Sequence, residues 1–240
     1  GYNARFVENG IACTTVSVIA AALGITDLDA IEPAQRDLIR RAHLLACRFN
    51  AWQPGVFALS GWDLVGALPL PTDEVAALIA DGDTRWIERG GYDLLGANPD
   101  ATASNSGLPR ARCLYGPLPA QLADPTSFAS QLAEILSVRS DSSVATAELV
   151  DVPEPPHPGL LVLVSRAEDG TMLATIVNFT AAPHSLDLST VPGFPPGHYS
   201  PPSRTEGSFF VPALPTESAV EPDTTILELE PFGGVLLRRA

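Results

Sequence analysis

The sequence predicts an α/β region followed by an all-β region. Up to about residue 144, apolar residues recur mainly at helical spacing, with one apolar stretch that is typical of a buried strand. From about residue 145, helical periodicity ends, proline becomes frequent, and short apolar stretches between turn residues indicate strands. A chain of 240 residues is long enough for one large domain or two smaller ones. We therefore predict two domains, 1–144 and 145–240.

The first region contains several predicted helices. Residues 10–24 read as a buried helix that ends at Gly24. The segment "EPAQRDLIRRAHLLACRFNAW" follows, with Pro33 at its first helical position. Residues 73–81 predict a short helix capped by Thr72, and Asp124-Pro125 opens the last one. The apolar stripes of the second and last helices comprise Leu38, Ala42, Leu45, Ala46 and Phe49, and Phe128, Leu132, Ile135 and Leu136.

The stretch "QPGVFALSGWDLVG" is the predicted strand of the first region. Its apolar part, 56–62, is typical of a parallel strand buried on both faces. Such a strand cannot satisfy its backbone alone, so we expect its neighbours to lie upstream in a longer protein. The single methionine, Met172, agrees with this expectation. The polar segment 82–118 is too long for a simple connector and is expected to be functional or lid-like.

The second region predicts an antiparallel β-sandwich. "GLLVLVSR" and "MLATIVNFT" flank "AEDGT", which is typical of a hairpin with a glycine turn. Three more short strands are predicted in "HSLDLS", "TTILELE" and "GVLLRRA".

Composition limits the partners of the chain. A formal charge of −14 disfavours nucleic acid and an anionic membrane surface. No apolar run approaches the ~18 residues of a membrane helix, and no signal peptide precedes the first element. Cysteines 13, 47 and 113 are odd in number and far apart, which suits a reducing compartment. We therefore expect a cytoplasmic protein.

The stretch "LIRRAHLLACRFNAWQPGVFALSGWDLVGAL" resembles the end of the catalytic barrel in glycoside hydrolase family 13, the α-amylase clan. In that family the eighth strand commonly reads "PGTP-x-x-Y-x-GDE". Gly61 lies in the region of its Gly and Asp63 stands for its Asp, whereas Leu64 departs from its acid. "DPTSFASQLAEILSVRSD" resembles the eighth helix, which commonly ends in "ALR" or "SLR". The "LVLVSRAEDGTMLATIVNFTAAPHSLDL" segment resembles the start of domain C.

This resemblance implies the C-terminal portion of a (β/α)8 TIM barrel followed by an antiparallel β-sandwich domain C. Within the clan, the trehalose synthase-like branch is the most similar. These proteins are maltose α-D-glucosyltransferases, which interconvert maltose and trehalose. The stretches that carry the similarity are "RFVENGIACTT", "QPGVFALSGWDLVGALPL", "GDTRWIERGGYDLL" and "SGLPRARCLYGPLPAQLADPTSFASQLAEILSVR".

The resemblance also implies a retaining mechanism with an Asp nucleophile, a Glu acid/base and a second Asp. In the family these acids follow strands four, five and seven, none of which is matched here. We therefore assign no catalytic residue to this chain and expect the isolated chain to be inactive. The segment is expected to hold no cofactor or metal, with calcium possible upstream. Its partner would be a small sugar such as maltose or trehalose, and a homo-oligomer is possible.

Four residues are predicted to bind substrate. Trp62 and Asp63 fall at the C-terminal end of the predicted strand. In a (β/α)8 barrel, the C-terminal ends of the strands form the catalytic face. Arg85 and Arg112 lie on the long loop that follows, as do Trp86 and Arg110. The alternative for Asp63 is a structural cap of the next turn, and for each arginine a solvated loop charge. His43 is predicted to be a core or interface histidine and not a ligand, because it lies mid-helix among Leu and Ala.

Two other functions stay open. The first keeps the fold and changes the substrate, as in an amylase or a maltosyltransferase. The second is a non-catalytic carbohydrate-binding or structural module.

Overall fold

The computed structural model describes residues 13–200 and 226–239, which form two compact units. The first unit comprises the described residues up to His43 together with Leu59–Ala129. The second comprises Leu44–Ala58 and the described residues from Ser130 onward. The start of the helix predicted over 10–24 and the beginning of "TTILELE" lie outside the described residues. The division at residue 144 stays a prediction.

Five α-helices are present in the part of the chain that the structure describes, and two confirm the strongest sequence predictions. They are α1 (Thr15–Ala22), α2 (Pro33–Ala51), α3 (Gly61–Val65), α4 (Leu118–Leu122) and α5 (Phe128–Ser142). Short 3-10 helices lie at Thr84–Glu88, Val144–Thr146 and Leu188–Thr190. Among the described residues, no helix has the length and apolarity needed to cross a membrane.

The buried face of α2 differs from the predicted stripe. Of the five predicted positions only Leu45 is buried. The most enclosed side chains are instead Ile39, His43, Leu44, Cys47 and Ala51. The prediction missed this face because it includes His43, and a polar residue interrupts the apolar pattern on which the prediction was based.

Two helix predictions need correction. Residues 73–81 form consecutive turns instead of a helix. Only Val75 is buried among them, so packing contributes little to offset the cost of helix nucleation. The last helix begins at Phe128 and not at Asp124, whose side chain accepts hydrogen bonds from the backbone and the hydroxyl of Thr126 in a turn. In α5 the predicted stripe is confirmed at Phe128, Leu132 and Ile135.

The prediction of a strand over 56–62 is wrong. Residues 56–60 belong to no helix or strand and pair with no strand among 13–200 and 226–239, and Gly61 and Trp62 already belong to α3. Val56 is 96% exposed, whereas the sequence pattern predicts burial on both faces. A barrel is therefore not seen in the described residues.

The second unit contains the predicted antiparallel sheet. Its five strands run in the order β1-β2-β3-β7-β5, and β4 pairs with β6 in a separate two-stranded sheet. The strands are β1 (Glu148–Asp151), β2 (Leu160–Arg166), β3 (Met172–Asn178), β4 (His184–Asp187), β5 (Tyr199–Ser200), β6 (Ile226–Leu229) and β7 (Gly234–Arg239). The hairpin β2–β3 is confirmed, with Leu160 opposite Asn178 and Arg166 opposite Met172.

One apolar core joins the two sheets. Side chains from β2, β3 and β7 pack with side chains from β4 and β6, in a cluster that includes Val162, Ile176, Leu186, Leu227 and Leu237. On β3, the residues of this core are Ala174 and Ile176. The residues that alternate with them, Leu173, Thr175 and Val177, are buried as well. Thr175 Oγ1 donates to the Trp52 carbonyl at 2.7 Å, so the end of α2 covers that side of the sheet.

Candidate functional site

The predicted site residues Trp62 and Asp63 lie on the short helix α3, which the local sequence closes at both ends. Ser60 is the N-cap, and its backbone N–H donates to Asp63 Oδ2 at 3.2 Å in a capping box. Gly66 ends the helix in the left-handed region at φ 63°. Because five residues make few helical hydrogen bonds, these caps fix the conformation of the turn.

Asp63 is a buried carboxyl group that is only 7% exposed. Burial raises its pKa, while hydrogen bonds from the Thr15 side chain and the Ser60 backbone oppose that rise. Oδ1 lies 3.8 Å from His43 Nε2, beyond hydrogen-bond distance. Asp63 is the only acidic side chain among residues 13–200 and 226–239 that is buried.

His43 is the buried neighbour of Asp63, as the prediction of a core histidine requires. Its ring lies 4.4 Å from the Phe128 ring between centroids, and Nδ1 is 3.1 Å from the Tyr115 hydroxyl. Burial lowers its pKa to about 4, so the imidazole is neutral at neutral pH. With its proton on Nε2, the ring accepts from Tyr115 and directs an N–H toward Asp63. Nε2 itself has no hydrogen-bond partner in the described structure.

The buried histidine predicts a specific pH dependence of stability. In the unfolded chain His43 binds a proton near pH 6.5, whereas in the folded chain it does so only near 4. The first unit should therefore lose up to about 3 kcal/mol as pH falls from 6.5 to 4. Asp63 acts in the opposite sense, since its raised pKa makes folding less favourable as pH rises above its unfolded value.

Urea unfolding near pH 7 and near pH 4.5 measures this effect. We expect His43→Gln to be destabilised at pH 7 but to lose less stability than the wild type on acidification. His157→Gln is the matched control, because His157 is exposed and should keep the wild-type pH slope. Equal slopes for His43→Gln and the wild type would contradict the assignment.

The segment 82–118 is held to the turn around α3 by backbone pairing. Leu114 N–H donates to the Gly66 carbonyl at 3.0 Å, and Tyr115 N–H donates to the Val65 carbonyl at 3.0 Å. The Tyr115 ring also fills the space beside Gly66, where a Cβ would lie 2.8 Å from ring carbons. This part of the predicted loop is therefore anchored, and a glycine is required at the point of close approach.

The four predicted substrate-binding residues have separate surroundings. Trp62 is half-buried against an apolar cluster that includes Val65, Leu70 and Ile87, whereas Asp63 contacts Thr15, Ser60 and His43.

Both predicted arginines form exposed ion pairs. Arg85 makes a two-point pair with Asp83, at 2.7 Å and 2.8 Å. Arg112 Nη1 lies 3.5 Å from Asp29 Oδ1 and donates to the Asp29 carbonyl at 3.1 Å. The role of all four predicted residues in substrate binding stays a prediction.

Sequence reasoning missed three members of this site: Thr15, Tyr92 and Tyr115. The Tyr92 hydroxyl occupies the space above Gly61, where a Cβ would overlap it. One available signal was the presence of two tyrosines and several glycines in the polar segment 82–118, because aromatic residues in a long loop favour a packed structure. No cluster of three or more metal-binding side chains occurs among the described residues.

Known structures share this fold. Amy13B from Eubacterium rectale matches with a TM-score of 0.57 and 13% identity, over 95% of this chain and 37% of that chain. Trehalulose synthase MutB from Pseudomonas mesoacidophila MX-45 matches with a TM-score of 0.57 and 17% identity, over 91% of this chain and 41% of that chain. Isomaltulose synthase SmuA from Protaminobacter rubrum matches with a TM-score of 0.56 and 12% identity, over 83% of this chain and 38% of that chain.

These similarities define the class of fold. The chain is folded like part of each of these three proteins and spans about two fifths of their length. No family model matches the sequence, and no curated protein is similar to it in sequence. Structures of MutB and of isomaltulose synthase from Erwinia rhapontici NX5 contain glucose.

Proposed function

We propose that this chain is the C-terminal part of a retaining family 13 enzyme that transfers a glucosyl group within a disaccharide. The observation that carries the proposal is the fold similarity over 83–95% of the chain to an amylase-type protein and two disaccharide-forming synthases. A retaining transfer needs two carboxyl groups ~5–5.5 Å apart, one to form the glycosyl-enzyme and one to exchange the proton. In our proposal both belong to the rest of the enzyme.

The role proposed for this chain is to position one wall of the sugar pocket. The capping box and the His43–Tyr115 pair hold α3, which carries Trp62 two residues after the N-cap Ser60. His43 Nδ1 and the Asp63 carboxyl group already have hydrogen-bond partners, so these groups need little rearrangement as substrate binds. Trp62 would then offer an apolar face to a sugar ring.

Two branches of the family remain candidates for the reaction. The sequence stretches of the first 140 residues favour the trehalose synthase-like branch, in which maltose is converted to trehalose. The structural neighbours favour the branch that forms trehalulose or isomaltulose, which are isomers of sucrose. We propose maltose as the substrate, since the sequence similarity includes the turn 53–70 that contains Trp62 and Asp63.

The full-length protein, incubated separately with maltose and with sucrose, tests the proposal. We expect trehalose from maltose, with a small amount of free glucose, and no isomer of sucrose. Isomaltulose or trehalulose from sucrose without turnover of maltose would move the protein to the second branch. Hydrolysis of starch without disaccharide isomerisation would favour an amylase, and no turnover of any of these sugars would contradict the proposal.

Asp63→Asn in the full-length protein tests whether Asp63 contributes to the proposed wall of the sugar pocket. The change keeps an oxygen for the Ser60 N–H but removes the charge. Loss of one charged hydrogen bond costs about 1.5–3 kcal/mol, hence we expect kcat/KM to fall roughly ten- to a hundredfold. Asp73→Asn is the control, because Asp73 is exposed and lies on the turns that follow.

The melting temperature of each variant separates the two roles of Asp63. Normal activity per folded molecule with a lower melting temperature would leave Asp63 as a structural cap and remove it from the substrate site.

A further inference from the structure

The loop 91–110 forms a half-open surface pocket of about 250 Å³ that none of the four predicted site residues lines. We call it the loop pocket, and its polar lining consists of Tyr92, Asp93, Asn98, Ser104, Asn105 and Arg110. In small-molecule sites, a few convergent polar groups fix the orientation of the ligand, and the loop pocket offers such groups.

The loop pocket is built before any ligand enters. Arg110 Nη1 donates to the carbonyls of Asn98, Pro99 and Ala101, at 2.6, 3.1 and 3.0 Å. Gly91 closes the base of the loop by donating its N–H to the Pro109 carbonyl at 2.8 Å. Ordering of a loop usually opposes binding, and here much of that cost is met in the free protein.

The charges that face the loop pocket are balanced. Backbone N–H groups of Asn98 and Ala97 donate to Asp93 and hold the pKa of its carboxyl group below the usual range, so Asp93 is ionised at neutral pH. Arg110 Nη2 lies 3.7 Å from Asp93 Oδ2, too far for a direct hydrogen bond. The Asp93 carboxylate would repel an anion, and the Arg110 guanidinium would repel a cation. A neutral diol can donate a hydrogen bond to the carboxylate and accept one from the guanidinium.

The remaining lining suits a ring that carries hydroxyl groups. Tyr92 is 37% exposed, so part of its aromatic ring is open to a ligand. The exposed amides of Asn98 and Asn105 each supply a donor and an acceptor. The methyl groups of Ala101 and Ala103 provide an apolar surface for C–H groups.

The geometry points to a carbohydrate-binding pocket in the loop 91–110, which takes a neutral hexopyranose unit such as one glucose residue of maltose. Arg110 and Asp93 bind neighbouring hydroxyl groups, and Tyr92 contacts the ring. Binding at this pocket goes beyond the proposed transfer reaction, since it requires no catalytic acid. All residues that line the pocket lie in the chain described here.

Titration of the 240-residue chain with maltose and with glucose tests this site, with backbone amide NMR shifts as the readout. We expect saturable shifts confined to the amides of 91–110, with a Kd below about 10 mM. Asn105→Ala should weaken maltose binding at least fivefold without changing the melting temperature, because Asn105 is exposed. Tyr92→Ala should weaken it as well. Asp100→Asn is the matched control on the same loop, and its affinity should equal that of the wild type.

Three results would overturn the site. The first is the absence of a saturable shift in 91–110 with either sugar. The second is an affinity for maltose that is the same in Asn105→Ala, Tyr92→Ala and the wild type. The third is a larger shift with inorganic phosphate than with maltose, which would indicate an anion site. Failure of the full-length protein to isomerise maltose would leave these shifts unaffected, so the two proposals fail separately.

Discussion

Incubated with maltose or with sucrose, the purified 240-residue chain is expected to form no trehalose, no isomer of sucrose and no free glucose above a heat-treated control. Retaining transfer requires two carboxyl groups in one enclosed site. Among the described residues only one acidic side chain, Asp63, is buried, and its contacts go to Thr15, Ser60 and His43. Without the partner carboxyl group, we expect the loss of activity to be complete within detection.

The full-length protein is the control for this assay, at the same concentration of folded protein. Turnover by the isolated chain that survives repeated purification would contradict our proposal, because the chain would then contain its own nucleophile and acid.

Replacement of Arg139 is expected to cause a large loss of stability in the second unit. Its guanidinium group donates to the carbonyls of Ala51, Gln53 and Gly55, at the point where α2 ends. These carbonyls lack helical partners, and a cation is favourable at a helix C-terminus. Arg139→Ala should therefore cost about 2–4 kcal/mol, or roughly 5–15 °C in melting temperature.

Thermal unfolding of Arg139→Ala, Arg139→Lys and Arg166→Ala measures the effect. Lysine keeps the charge but lacks the planar fork, so we expect an intermediate loss. Arg166 forms only an exposed ion pair with Glu148 at 3.7 Å, and its removal should cost less than about 1 kcal/mol. Equal melting temperatures for Arg139→Ala and Arg166→Ala would show that the three carbonyls do not depend on Arg139.

The arginine also illustrates what the sequence can predict. The sequence places Arg139 on the last predicted helix but indicates no role for it. The structure supplies a physical reason, since one side chain near the end of α5 caps the end of α2 and the start of the segment 53–55. The spacing between these partners is more than 80 residues, which no local pattern reveals.

Elements with strong periodicity were predictable. Helices α2 and α5 and the hairpin β2–β3 follow from repeated apolar spacing and a glycine turn. Strand β1 was missed because all four of its residues are exposed, and β5 because it has only two residues. The segment 56–60 has the composition of a strand, but a strand also needs neighbours, and none is present in the described ranges.

The candidate site was predictable in part. Asp63 was found because a polar residue follows an apolar run, but its environment was not, since Tyr115 is 72 residues from His43 along the chain. The imidazole was correctly expected in the core, yet its proximity to Asp63 required the fold. The loop pocket had no local signal beyond the length and polarity of its segment.

We propose that this chain completes a family 13 enzyme, and the coding sequence immediately upstream of Gly1 tests this proposal most directly. We predict a continuous reading frame with several strand–helix units, in which an Asp follows one strand and a Glu follows the next, about 30 residues further on. A start codon within a few residues of Gly1, or an upstream frame without strand-end acids, would contradict this claim and favour a non-catalytic carbohydrate-binding module.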